Sequence, residues 1–382
     1  MATAFRSMGM SIVQVGLPSF NTSLGGSLTS YGIIVGMFSV TQCIFQYPFA
    51  AASDKLGRRK IILLGMLIYL IGTLLCFTAQ NLVQLIIYRA FQGAGAYSSI
   101  LQAVVGDIYK KDQHSKGMGY HALYMNIGYF LGFVLGGFIS SFFDFRSIFL
   151  AQGLLICVSF TIIFIVLKGK DKSETTANRN NSINFSMTNI RILLKDSQYV
   201  LTLLFNCVRW FIFGFITAYL IWIFQNSFGL SDIISSYLML GILALYVVSI
   251  YVASKLIDRY GSRKISMVGQ VIVLGFGIPF FFKDFALILP IFLVIISFIG
   301  IGIAFIDPAG NTILLEVIED SQPDLKGSGI GFNNAIGFFC GAIAPMIMIP
   351  LGDIDIALPF YVIMVMMIFC LAIFQFKIDK KY

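Results

Sequence analysis

"SDKLGRRK" at positions 53–60 places one acid and four bases in eight residues. Both flanks are apolar: "MFSVTQCIFQYPFAAA" (37–52) precedes it and "IILLGMLIYLIGTLLCF" (61–77) follows. The pattern returns at 257–264 as "IDRYGSRK", so that Asp54, Gly57, Arg59 and Lys60 recur as Asp258, Gly261, Arg263 and Lys264, with Arg58 inside the first copy. Charge gathered into short connections between long apolar runs is the arrangement of a chain that crosses a bilayer repeatedly, because each crossing needs about 20 apolar residues as a helix.

Composition agrees. Hydrophobic residues make up 58% of the 382 and charged residues 12%, against about 25% charged in a soluble globular protein. There is too little polar material to coat a soluble surface. The net charge of +8 does not point to nucleic acid, because the Lys and Arg alternate between connections in the way that orients a membrane protein. The predicted fold class is therefore an all-α polytopic membrane protein. Twelve spans are read, at 3–21, 29–52, 61–79, 82–106, 117–141, 146–167, 197–224, 232–254, 265–282, 286–314, 327–350 and 356–376. The first begins almost at Met1 and is read as a span, not a cleaved leader. The polar stretch 168–196 separates a six-helix bundle at 1–167 from a second at 197–382 and is read as a cytoplasmic linker. With both termini cytoplasmic, four basic residues escape the inner side: Arg146 and Lys283 outside, Arg89 and Arg209 within spans.

The two halves repeat each other. Besides the charged connections, "IGYFLG" (127–132) matches "IGFFCG" (336–341) at a similar offset. Two pseudo-symmetric bundles of six spans are an architecture for alternating access to a site between repeats.

These residues resemble the major facilitator superfamily. The connection after span 2 carries that family's Asp-x-x-Gly-Arg-Arg/Lys motif through Asp54, Gly57, Arg58, Arg59 and Lys60, with Ala50 where a leading Gly is usual. "RAFQGAGA" (89–96) is similar to its span 4 motif, through Arg89, Gln92, Gly93 and Gly95. "GYFLGFVLGG" (128–137) resembles the span 5 motif of the drug:proton antiporters at Gly128, Gly132, Gly136 and Gly137, with Phe133 in place of its Pro. The resemblance covers the whole chain and leans toward the twelve-span drug:proton antiporter group. It implies a gating role for the paired charged connections, a cavity lined by spans 1, 4, 7 and 10, and proton transfer at Arg89 through Gln92 and water.

A charge inside hydrocarbon costs about 2.5–3.5 kcal/mol, so it usually faces a cavity. Arg89, Arg209 and Asp307 lie on the spans the resemblance assigns to the cavity, as do Gln14, Asn21, Gln92, Asn206 and Asn311. Asn206 precedes Arg209 by three positions and Asn311 follows Asp307 by four, so each pair shares a helix face. Asp307 has three readings: a carrier of the coupling proton, a partner of Arg209, or a residue of the cytoplasmic interface. Arg89 and Arg209 could alternatively hold an anion, and Arg89 could be structural. Spans 3, 6, 9 and 12 read as lipid-facing scaffold. Gly128, Gly132, Gly136, Gly137, Gly337 and Gly341 read as close helix-packing positions.

Neither a phosphate loop nor a His/Cys/Asp cluster with metal-ligand spacing occurs in the sequence, so no cofactor, no metal and no enzyme activity are expected. The six Cys fall inside apolar runs and read as small hydrophobes. The expected function is secondary active transport of a small organic solute, as proton-coupled efflux. The alternative is transport of an organic anion or zwitterion through Arg89 and Arg209, and a more remote one is a non-transporting membrane sensor. Expected partners are a small-molecule substrate, H+ and the lipid bilayer, with no nucleic acid, and the protein is expected to be a monomer in the cell membrane.

Overall fold

A computed structural model describes residues 1–108, 114–167, 187–322 and 325–376. Most of the expected linker, at 168–186, and the C-terminal 377–382 lie outside the described residues, as do the side chains of Asp54 and Lys283. The described chain is helical almost throughout. Its helices are α1 (Ala2–Ser23), α2 (Leu28–Leu56), α3 (Arg58–Thr78), α4 (Leu82–Ala94), α5 (Ser98–Ile108), α6 (His114–Phe142), α7 (Ser147–Val166), α8 (Met187–Leu193), α9 (Ser197–Trp222), α10 (Asp232–Tyr260), α11 (Ser262–Gly277), α12 (Lys283–Ala286), α13 (Leu289–Ser321), α14 (Lys326–Ile354) and α15 (Leu358–Phe376). Each predicted span coincides with one of these or with a helix pair. Among the described residues, nine helices are long and apolar enough to cross a membrane.

Span 4 differs from expectation. It is a single helix in the sequence reading and two helices, α4 and α5, in the structure. The cause is the "GAGA" stretch. A Cβ on Gly95 would meet the Gly65 carbonyl oxygen at 2.5 Å and the Tyr69 nitrogen at 2.7 Å, so α3 packs here against bare backbone. The Ala96 and Tyr97 amides then donate to Ala94 and Gly95, at 2.9 Å each, instead of continuing the helical ladder.

The turns are built by local chemistry. Ser27 accepts the Ser30 amide to start α2, and Asn81 accepts the Gln84 amide at 2.9 Å to start α4. Gly57 and Gly261 both have positive φ, at 99° and 88°, in the turns α2–α3 and α10–α11. The repeated sequence thus makes the same backbone turn in each half, at a conformation open to Gly and strained for other residues.

Two compact units divide the chain: Met1–Asn180 with Thr217–Leu240, and Asn181–Ile216 with Gly241–Tyr382. In the first, α1 runs against α6 and α7, α2 against α4, and α3 against α4 and α7. The C-terminal part of α9 from Thr217, its π-helical extension Ile223–Ser227 and the start of α10 belong to this unit. In the second, α11 packs on α13 and α15, and α14 on α13 and α15. The boundary therefore cuts α9 after Ile216 and α10 after Leu240, whereas the sequence reading placed both helices wholly in the second bundle.

Candidate functional site

In the first unit, α4 carries Arg89 and Gln92 inward. Arg89 is 6% exposed and Gln92 is fully buried. The guanidinium can only donate, which fixes the amide: Arg89 Nη1 donates to Gln92 Oε1 at 2.5 Å. The Gln92 amide nitrogen then donates to Thr73 Oγ1 at 2.7 Å and Gln152 Oε1 at 2.8 Å. Gln152 passes the polarity on to the Tyr69 hydroxyl at 2.9 Å. Phe38 lies under the guanidinium, 4.4 Å from it to the ring centroid. Among the described residues no carboxylate acts on Arg89. A buried positive charge is held here by neutral dipoles and a ring face alone.

In the second unit, α9 and α13 bring together four of the predicted residues. Arg209 Nη1 donates to Asp307 Oδ1 in a short ion pair and also to the Asp307 carbonyl oxygen at 3.0 Å. Its Nη2 donates to Asn311 Oδ1 at 2.8 Å. Asn206, one turn earlier on α9, reaches the Gly310 carbonyl at 3.4 Å. Tyr246 of α10 donates to Asp307 Oδ2 at 3.4 Å. Arg209 is 6% exposed and Asp307 34%, so the acid is the more accessible partner. The helix continues through Pro308 to Ser321, which places Asp307 well inside α13.

The remaining predicted residues disperse. Gln14 donates to Thr217 Oγ1 at 2.8 Å. Asn21 is fully buried and closes the α1–α2 turn, donating to the Ser27 carbonyl and accepting from Ser30 Oγ. Its short amide sits beside "GG", where it replaces missing backbone partners. In the charged connections, Arg58 donates to Ser53 Oγ at 2.7 Å, and Arg59 reaches the Phe164 carbonyl at 3.0 Å with its guanidinium over the Phe164 ring. Asp258 and Lys264 are exposed, while Ser262, between Gly261 and Arg263, donates to Glu316.

The packing glycines lie where helices touch. A Cβ at Gly128 would run into the Ala4 carbonyl, at Gly132 into Met8 and Ser11, at Gly136 into Ile12, and at Gly137 into Ser236. In the second unit a Cβ at Gly337 would strike Trp210, and Gly341 lies against Trp210 and Gly214. So α6 presses on α1 in one unit, and α14 on α9 in the other.

Several participants escaped the sequence reading. Spans 6 and 9 carry buried Gln152 and Gln270 and are not purely lipid-facing scaffold. Thr73, Tyr69 and Tyr246 carry no charge and gave no signal. Among the described residues no group of His, Cys, Asp and Glu could hold a metal ion.

A family model described as Major Facilitator Superfamily matches residues 1–345. An uncharacterized transporter of Buchnera aphidicola subsp. Schizaphis graminum is 32% identical over 143 residues, 37% of each chain. Multidrug resistance protein 2 of Bacillus subtilis (strain 168) is 26% identical over 365 residues, 92% of this chain and 87% of that one. The matches to the first curated relatives span about a third to a half of their length. In fold, the chain is similar to the crystal structure of the nucleoside transporter NupG, with a TM-score of 0.77 at 13% identity over 98% of this chain and 97% of that one.

Proposed function

Because this chain belongs to the Major Facilitator Superfamily and is a multi-pass protein of the cell membrane, we propose that it is a secondary active transporter that exports a small organic solute in exchange for protons. The observation that carries this reading is the Arg209–Asp307–Asn311–Tyr246 cluster: a third-exposed carboxylate, fixed by a buried guanidinium, inside helices long enough to span the bilayer. A charge there is expensive unless it serves a pathway. Its carboxylate and amide face, with Trp210 beside it, suits a solute that is cationic or dipolar and partly aromatic. The match to Multidrug resistance protein 2 over most of both chains supports efflux.

The reading includes alternating access between bundles at 1–167 and 197–382 joined by 168–196, a monomer, and cytoplasmic termini. The paired charged connections with Gly57 and Gly261 are its gate, and the Arg89–Gln92–Gln152 chain is a fixed polar strut. The alternative, an organic anion or zwitterion, would draw on two guanidinium groups, Arg89 and Arg209. Asp307 neutralises one of them, which leaves Arg89 alone.

Proteoliposomes of purified protein test the reading, with ethidium as a cationic probe and fluorescein as an anionic one. Ethidium should move when an inward proton gradient is imposed and stop when nigericin collapses it. Gradient-independent movement of fluorescein, with none of ethidium, would replace this reading with the anion one.

A further inference from the structure

A second carboxylate is buried in the first unit. Asp232 opens α10 and is 8% exposed. Its two oxygens are held from two other helices: Oδ1 accepts from Ser19 Oγ of α1 at 2.8 Å, and Oδ2 accepts a short hydrogen bond from Ser140 Oγ of α6. It forms one wall of a cavity of about 340 Å³ that Ser19, Thr22, Ser23, Gln225 and Asn226 also line. Thr22, Ser23 and Asn226 are exposed and make the rim, so water reaches the acid.

The charges on the surrounding elements do not compensate it. Asp144 and Arg146 flank Phe145 at the cavity wall; Asp144 is exposed and Arg146 stacks over Phe20, 5.8 Å from its centroid. Among the described residues, neither they nor any other charged side chain of α1, α6, α7 or α10 acts on the Asp232 carboxyl. Asp307 is committed to Arg209, whereas Asp232 can take or release a proton without breaking an ion pair.

The neighbours also provide a second hydrogen-bond arrangement. Gln225 Nε2 is tied to the Val15 carbonyl at 2.8 Å, which turns its Oε1 toward Ser19 Oγ, 3.5 Å away. Ser19 has one proton to give. With Asp232 ionised it goes to Oδ1. When a proton from cavity water binds Oδ1, that oxygen becomes a donor to Ser19 Oγ, and the Ser19 hydroxyl rotates to Gln225 Oε1. No other bond changes, and the proton returns to water by the reverse path.

We propose that Asp232, with Ser19, Ser140 and Gln225, is the proton-binding site of this protein, taking one proton per cycle from the cavity, reversing the Ser19–Asp232 hydrogen bond between α1 and α10 and turning the Ser19 hydroxyl to Gln225. The coupling part of this proposal rests on the antiport reading; the proton site itself does not.

The full chain purified in detergent would be titrated with pH by infrared difference spectroscopy, reading the C=O band of a protonated carboxyl. A titrating band lost in Asp232→Asn supports the site, and a band unchanged in that variant overturns it. Removing either hydroxyl, in Ser19→Ala or Ser140→Ala, should move the midpoint by about one pH unit, a tenfold change in proton affinity. If Asp232→Asn does not fold, these two variants decide: an unmoved midpoint overturns the proposal. In ethidium-loaded proteoliposomes, the wild-type rate should depend on the pH gradient and the Asp232→Asn rate should not. A wild type that moves neither ethidium nor fluorescein on a gradient, yet keeps the Asp232 band, overturns the antiport reading and leaves the proton site standing. A variant as strongly driven as wild type overturns the coupling role alone.

Discussion

Replacing Asp307 with Asn removes a charge and almost no volume, so its effect reports the electrostatics of the Arg209 pair. Breaking a fully buried ion pair from one side costs about 3–5 kcal/mol, because the surviving charge stays desolvated. Arg209 is that survivor, at 6% exposure, but Asp307 is 34% exposed, so the pair is only partly buried. The variant also keeps two acceptors for Arg209, the residue 307 carbonyl at 3.0 Å and Asn311 Oδ1 at 2.8 Å. The expected cost is therefore about 2–3 kcal/mol. For a unit of this size that lowers Tm by roughly 4–10 °C. Differential scanning fluorimetry in detergent would measure it, in a cycle with Arg209→Met and the double variant. The double variant has no stranded charge and should recover most of the loss, giving a coupling energy above about 1.5 kcal/mol. Additivity within about 0.5 kcal/mol would show that the two groups lie side by side without holding each other, and the reasoning would fail.

Gln92→Leu should destabilise the first unit by about 2–4 kcal/mol, because Arg89 loses its acceptor and Thr73 and Gln152 lose their donor; the same melting assay measures it, and a neutral result would mean that water replaces the amide. Gly132→Ala should cost about 1–3 kcal/mol by pushing α6 off the α1 backbone, whereas Gly241→Ala, with open space around its Cβ, should be neutral or stabilise by about 0.5–1 kcal/mol. Equal melting temperatures for the two would refute the packing argument.

The spans were legible because length and hydropathy alone define a bilayer crossing; most observed helices begin and end within a few residues of the predicted spans, while α10 and α13 run on past theirs to Tyr260 and Ser321. Helix faces were legible too: the spacing of Asn206 and Arg209, and of Asp307 and Asn311, already put each pair on one side. What sequence spacing does not show is which faces meet. The Arg209–Asp307 contact joins residues 98 apart, and only its possibility could be named. The break in span 4 was hidden because "GAGA" reads as a tolerable run of small residues until α3 is placed against it. The turn-closing hydrogen bonds of Asn21 were not legible, because a buried amide looks the same in sequence whether it faces a cavity or closes a turn. Asp232 gives no signal in the sequence, because an acid in a first helical turn is common on electrostatic grounds and its burial depends on hydroxyls from two distant helices.

The contrast between the two arginines has an electrical consequence. Arg209 travels with a carboxylate and is nearly neutral as a pair, but Arg89 is a lone positive charge embedded among dipoles. A membrane potential does work of about 2.3 kcal/mol per elementary charge per 100 mV across the full thickness. A step that carries Arg89 through about a fifth of that field changes its free energy by about 0.5 kcal/mol per 100 mV, while the same displacement of the Arg209 pair changes it very little. Voltage thus acts on the first unit through its uncompensated charges, Arg89 and, when ionised, Asp232, and leaves the arginine site of the second almost untouched, giving the two units different electrical sensitivities.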